Sequence, residues 1–474
     1  MKNSKLIDLL QALDSTELRQ FCEFVASPYY NKNEELVHLA EHLEKLAPEF
    51  PEKKIKKEAV YRAIFPGQPF DKRKLAYLMN YLLKLGERFL AVQRYEKEEL
   101  LTSCHILEQF VDRKLDKHYN YLMKRTEEAL EAESGRDGMR YYHKFLASQV
   151  ATQHFYSKQV RKFDPSLQQA SDELDNFYFF YKLKYSCEML NRQAIIEADY
   201  QPAFVDEVKK HLQVQPPADP LIEIYLHIYL LITCPEEEGH FEQLMRLIEQ
   251  HALTIDRKLR REIYLYAINY GASRIKKGSS KYLQIVLDLY VKGIENRALF
   301  DEAYLSHWTY SNVVKLGLHL RHYDWVAGFI RENAVNLQPS LREDAEHYNL
   351  AELHYYQGDF DQVLMHLNQL QFSDLHYHLG SRVMLLKTYH ELEAEESLFS
   401  MLASFSVYLR RNKKIAASVK RPYLNFCNLL HQLMRRNPKK WNALGESIRK
   451  TQLLTERGWL LQVWEKAGVG MRAL

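Results

Sequence analysis

Twenty histidines stand in this chain of 474 residues, and six of them, His347, His354, His366, His376, His378 and His390, fall in one short stretch. A metal needs two to four imidazoles or carboxylates converging on one point, held there by further partners. His376 and His378 are two residues apart and cannot share a helix face, so the six read as packing or surface histidines. Carboxylates cluster at Glu236–Glu238, where they suit the start of a helix and its partial positive charge. No glycine loop followed by Lys-Ser/Thr, no G-x-G-x-x-G, no G-x-S-x-G and no H-E-x-x-H occurs. With 16 glycines in all, close backbone approach to a nucleotide is hard to build. Neither a metal nor a cofactor is expected, and the chain reads as non-enzymatic.

Cys22, Cys104, Cys187, Cys234 and Cys427 lie far apart in apolar helical contexts with no C-x-x-C pair. They read as small packing residues in a reducing compartment. The first residues, MKNSKLIDLLQALDS, place Asp8 inside the only apolar stretch, unlike a signal peptide. The most apolar window, Leu221 to Cys234, contains Glu223 and His227 and is too short to span a bilayer. A cytoplasmic protein without a membrane partner is expected.

The charge is unevenly spread. Residues 401–474 hold 15 Lys and Arg against 3 Asp and Glu, a net of +12, beside 50 against 59, a net of −9, in the rest. Arg410, Arg411, Lys413, Lys414, Lys420, Arg421, Arg435, Arg436, Lys439 and Lys440 recur at expected helix ends, where cations satisfy terminal carbonyls. Only Glu446 opposes the basic residues between 401 and 450, so the group is also a candidate patch for a polyanion such as nucleic acid. A second basic stretch, 52–74, carries eight Lys and Arg against Glu52, Glu58 and Asp71.

Fourteen prolines and the few glycines point to helices joined by short polar turns, an all-α chain. Asp14-Ser-Thr-Glu17 reads as a capping box, Asn33 and Asp71 as further caps. Leu75, Leu78, Leu82, Leu85 and Phe89 then recur at helical spacing. Phe177, Phe180, Tyr181 and Tyr185 form an aromatic stripe of the kind that packs between helices. Trp441, Trp459 and Trp464 are expected to anchor closing helices.

The stretch Tyr348–Leu370 resembles a tetratricopeptide repeat. Leu350 and Ala351 take the first-helix packing positions, Gly358-Asp359 the turn, Phe360 the aromatic position after it, and Val363, Leu367 and Leu370 the second helix. His354 stands at a usual aromatic site, and Val363 replaces the usual Ala, which should widen the helix gap. Tyr323 precedes Phe360 by 37 residues and Glu395 follows it by 35, marking two fainter copies, the later with Glu393 at the turn glycine's place. The resemblance implies a right-handed superhelix of stacked helix pairs, here preceded by an N-terminal helical domain. The organisation expected is an N-terminal domain over 1–95, degenerate helical repeats over 96–300, tetratricopeptide-like repeats over 301–412, and basic closing helices over 413–474.

That family binds proteins or peptides in the groove lined by its first helices. The resemblance makes Asn349, Glu352 and Tyr356 groove-facing, with Asn349 at the usual backbone-gripping position and Asn312 at the matching place one repeat earlier. The expected function is therefore a non-enzymatic scaffold or adaptor for a protein or peptide. The alternative is a nucleic-acid-associated regulator using the basic C-terminal end or the basic N-terminal helix pair. That pair, Ile55–Phe89, looks faintly like the two helices of a winged-helix domain.

Overall fold

The structure, a computed structural model, describes residues 2–132, 137–159, 161–196, 199–371 and 374–472. Among these the chain forms 23 α-helices, three single-turn 3-10 helices and one short antiparallel ribbon, Phe300–Asp301 with Tyr304–Leu305. The chain is all-α. No helix among the described residues is long and apolar enough to cross a membrane. Two compact units divide it, 1–182 and 183–474.

The first unit holds α1 (Lys5–Gln11), α2 (Ser15–Ala26), α3 (Glu34–Glu44), α4 (Lys57–Ile64), α5 (Lys72–Lys97), α6 (Glu99–Asp112), α7 (Asp116–Ala132), α8 (Gly138–Ser157) and the greater part of α9 (Pro165–Ile196). Its helices start where short polar side chains can satisfy free N–H groups. Asp14 accepts from the N–H groups of Thr16 and Glu17 at 2.8 Å, and Glu17 accepts from the Asp14 N–H, closing the capping box. Asn33 and Asp71 cap α3 and α5 in the same manner. Behind the caps, Phe21 and Val25 of α2, Leu39 and Leu43 of α3, and Leu75, Leu78 and Leu82 of α5 close a core over Leu6, Ile7 and Leu10. Burying that apolar area, at about 25 cal/mol per Å², is what holds α1 to α5 together.

The aromatic stripe of α9 divides. Phe180 is buried against Tyr141 of α8, ring centroids 5.3 Å apart, whereas Tyr185 is exposed. The winged-helix likeness fails, because α5 runs directly into α6 at Glu99 and no strand pair follows among the described residues. The lone ribbon lies in the other unit.

The second unit continues with α10 (Val205–Val214), α11 (Pro220–Thr233), α12 (Glu238–His251), α13 (Arg257–Lys276) and α14 (Tyr282–Glu295). It goes on through α15 (His307–His319), α16 (Tyr323–Asn333), α17 (Pro339–Gln357), α18 (Phe360–Asn368), α19 (Leu375–Glu391) and α20 (Glu395–Arg411). It ends in α21 (Ala417–Met434), α22 (Trp441–Lys450) and α23 (Arg457–Arg472). Neighbouring helices pack in pairs, α11 with α12, α13 with α14, α15 with α16, α17 with α18 and α19 with α20. Tyr323, Phe360 and Glu395, matched in the sequence, are the first residues of the second helix in three successive pairs.

The turns inside these pairs repeat one another at the level of the backbone. Arg321, Gly358 and Glu393 each adopt a left-handed conformation, with φ of 60°, 80° and 54°. In each, the next residue's N–H returns to a carbonyl five residues back: His322 to Gly317, Asp359 to His354, and Ala394 to Tyr389. This closure satisfies carbonyls left free at the end of the first helix. Ala351 of α17 is fully buried. Beyond α20, Trp441 and Trp459 are buried with Phe426, Leu430, Leu460 and Ile448 in the closing core, and the Trp464 Nε1–H donates to the Trp441 carbonyl at 2.9 Å.

Candidate functional site

The shared turn fixes a common register for the first helices. Six residues before the left-handed position stand Lys315 on α15, Glu352 on α17 and Lys387 on α19. These three equivalent side chains line one cleft of about 120 Å³, together with Tyr423 of α21 and Glu456 ahead of α23. The cleft is walled by first helices, each presenting a face at helical spacing: Tyr348, Glu352, Tyr355 and Tyr356 from α17, and His376, Gly380, Val383, Met384 and Lys387 from α19. Gly380 permits the approach, since a Cβ there would stand 2.6 Å from the Tyr348 hydroxyl.

Charge inside the cleft is only partly compensated. The Lys387 Nζ pairs with the Glu456 Oε2 at 2.7 Å and sits 4.6 Å from the Tyr355 ring centroid. Glu352 has no such partner: its Oε2 is enclosed and accepts no hydrogen bond. Burial raises the pKa of this carboxyl, and the positive charges of Lys315 and Lys387 oppose that shift without cancelling it. Among the described residues, the Lys315 ammonium has no carboxylate within 4.0 Å. His376 is pushed down to about 4 by burial first, then by Lys315 and His307, so its imidazole is neutral at neutral pH. Its Nε2 is enclosed and unbonded. An enclosed carboxyl oxygen without a donor and an ammonium with no carboxylate beside it therefore stand in one cleft.

The groove residues expected from the sequence separate. Glu352 and Tyr356 line the cleft. Asn349 does not, and its assignment to the groove is corrected: it is fully buried, its Nδ2 donating to the Ala345 carbonyl at 2.7 Å and to the Ser311 Oγ at 3.3 Å. It braces α17 against α15. Asn312 holds the equivalent place in α15 but is exposed, donating to the Tyr290 hydroxyl at 3.3 Å. Lys315 and Lys387 were missed, because their equivalence to Glu352 shows only once Arg321 and Glu393 are recognised as turn residues in the place of glycine.

The ten basic residues near the C-terminus fall into two groups. Arg410 and Arg411 end α20, Lys413 and Lys414 follow it, and Lys420 and Arg421 lie near the start of α21. Arg435 and Arg436 come after α21, and Lys439 and Lys440 occupy a single 3-10 turn, Pro438–Lys440. Arg421 and Arg435 stand 14 residues apart along α21, roughly 21 Å at about 1.5 Å each, so the ten form two groups. Lys420 is half-buried and the other nine are exposed. Among the described residues none of the ten meets a carboxylate within 4.0 Å.

Among the described residues no group of three His, Cys, Asp or Glu side chains is placed to hold a metal ion. No family model, no curated protein and no solved structure matches the chain.

Proposed function

We propose that the chain is a non-enzymatic, cytoplasmic adaptor, a tetratricopeptide-like array that holds a segment of a partner protein in the cleft walled by α15, α17, α19 and α21. The observation that carries this reading is the repeat-equivalent trio Lys315, Glu352 and Lys387 in one cleft, with the Glu352 Oε2 left without a donor. A peptide bond supplies what the cleft lacks, an N–H for the Glu352 carboxyl and a carbonyl for the Lys315 ammonium. The tyrosine faces of α17 give a bound segment amphipathic area at low entropic cost. Five free cysteines, with the Cys22 thiol pushed up to about 12 chiefly by burial, suit a reducing compartment.

Panning the full-length protein against phage-displayed peptides of about 12 residues tests the proposal. Peptides enriched on the wild type should bind Lys315→Ala and Glu352→Gln about tenfold more weakly or worse, a difference of about 1.4 kcal/mol. Failure of enrichment, or equal binding to both variants, rejects the cleft as the holding site.

A further inference from the structure

We propose that the exposed face of α5 is a docking surface for single-stranded nucleic acid, independent of the cleft in the other unit. Along this 26-residue helix the buried face takes Leu75, Leu78, Leu82, Leu85 and Phe89. The opposite face carries Arg73, Tyr77, Asn80, Tyr81, Lys84 and Arg88 at helical spacing, with Glu87 at its edge, and all seven are exposed. From Arg73 to Arg88 the stripe runs roughly 22 Å.

Its composition is unusual for a solvated face. Tyr77 and Tyr81 are 55% and 42% exposed, and their rings lie side by side with centroids 4.5 Å apart. Lys84 reaches over the Tyr81 ring at 5.4 Å, and the Arg88 guanidinium lies 4.8 Å over the Tyr30 ring. Among the described residues neither Arg73, Lys84 nor Arg88 has a carboxylate within 4.0 Å. Lys74, one residue from Arg73 but off the stripe, is by contrast paired with Glu35 at 2.7 Å. Arg73, Lys84 and Arg88 are thus open to an anionic partner.

Cations spaced along a track with aromatic rings between them are the combination that holds a single strand, phosphates on the cations and bases on the rings. Charge complementarity names a polyanion, and the two rings narrow it to one with unpaired bases. In a duplex the bases are stacked on each other and offer no face to Tyr77 or Tyr81. Among the described residues of the first unit no strand pair follows α5 to serve as a wing that would grip duplex backbone. Asn80, exposed on the same face, offers an amide to a base edge.

The test is fluorescence anisotropy of the full-length chain with a labelled oligothymidylate of about 12 nucleotides, the corresponding duplex, and heparin as competitor. The single strand is expected to bind, and the duplex more weakly. Tyr77→Ala and Tyr81→Ala should each weaken binding about fivefold or more, as lost stacking predicts, with the salt dependence unchanged. Tyr77→Phe and Tyr81→Phe should restore it, which excludes misfolding as the cause. Arg73→Gln with Lys84→Gln should instead flatten the log–log salt slope by about 0.7 per lost contact. Equal affinity for duplex and single strand, alanine variants that bind within twofold of wild type, or no binding at low salt would each overturn the proposal. So would a loss of binding in the phenylalanine variants equal to that in the alanine ones.

Discussion

The cleft between the first helices and the two basic groups toward the ends of α21 both gather charged side chains, and the chain treats them in opposite ways. At the ends of α21, nine of ten cations stand in water and none is paired with a carboxylate among the described residues. In the cleft, two lysines, two glutamates and four tyrosines are drawn together, and one carboxyl oxygen is enclosed without a partner. Exposed charge costs little and constrains little. Enclosed charge must be matched or neutralised, and a group left unmatched marks a place where something else can supply the bond. Amount of charge is therefore a poorer guide to a site than the degree to which the fold has shut water out around it.

The largest expected effect tests whether the cleft depends on the packing behind it. Ala351 is fully buried on α17, one residue before Glu352, and Ala351→Trp should overpack the helix pair. Thermal unfolding should report a loss of about 1–3 kcal/mol or more, with peptide binding lost alongside it. A variant that melts like the wild type would show that the register of α17 is wrong.

The next effect is smaller and depends on pH. The folded pKa of Glu352 lies above its ordinary 4.5, so the folded state holds the proton more tightly than the unfolded chain does. Stability from this group is complete below about pH 4.5 and is lost as pH rises through the folded value. Glu352→Gln should thus melt higher than wild type at pH 7–8, and the gap should close on approaching pH 4. A gap that widens toward acid would contradict the burial of this carboxyl.

The smallest effect belongs to the basic ends. Replacing Arg410, Arg411, Lys413 and Lys414 together by Gln should shift stability by no more than about 0.5 kcal/mol. A larger loss would mean that these cations hold structure and that the contrast with the cleft is false.

The two regions were also unequally legible. Helix starts can be read because they are local: Asp14, Asn33 and Asp71 cap the helices that their own following residues form. Tyr323, Phe360 and Glu395 could be aligned because a packing position repeats at nearly constant spacing. The fate of Asn349 could not be read, since its burial depends on Ser311, 38 residues away on another helix. A period says which residues share a face but not which neighbour closes over it. The Lys315–Glu352–Lys387 alignment was hidden for a related reason: charge alternates along it, and two of the three turns that define it lack glycine. Of the stripe on α5 only Arg73 falls in the basic stretch 52–74, and Tyr77 and Tyr81 are ordinary core residue types until the structure leaves them outside.

The three matching turns also set an order of loosening. Gly358 takes its left-handed backbone freely, whereas Arg321 and Glu393 do so against a steric penalty of about 1 kcal/mol or more each. The hairpin of α17 and α18 is thus the most relaxed of three, with a strained one on either side. Fluctuations that part a helix pair should begin in the outer two and reach the middle last, an ordering that amide exchange would register as graded protection. The walls bearing Lys315 and Lys387 are then expected to loosen before the helix that carries Glu352, so that the cleft widens from its sides while its floor stays put.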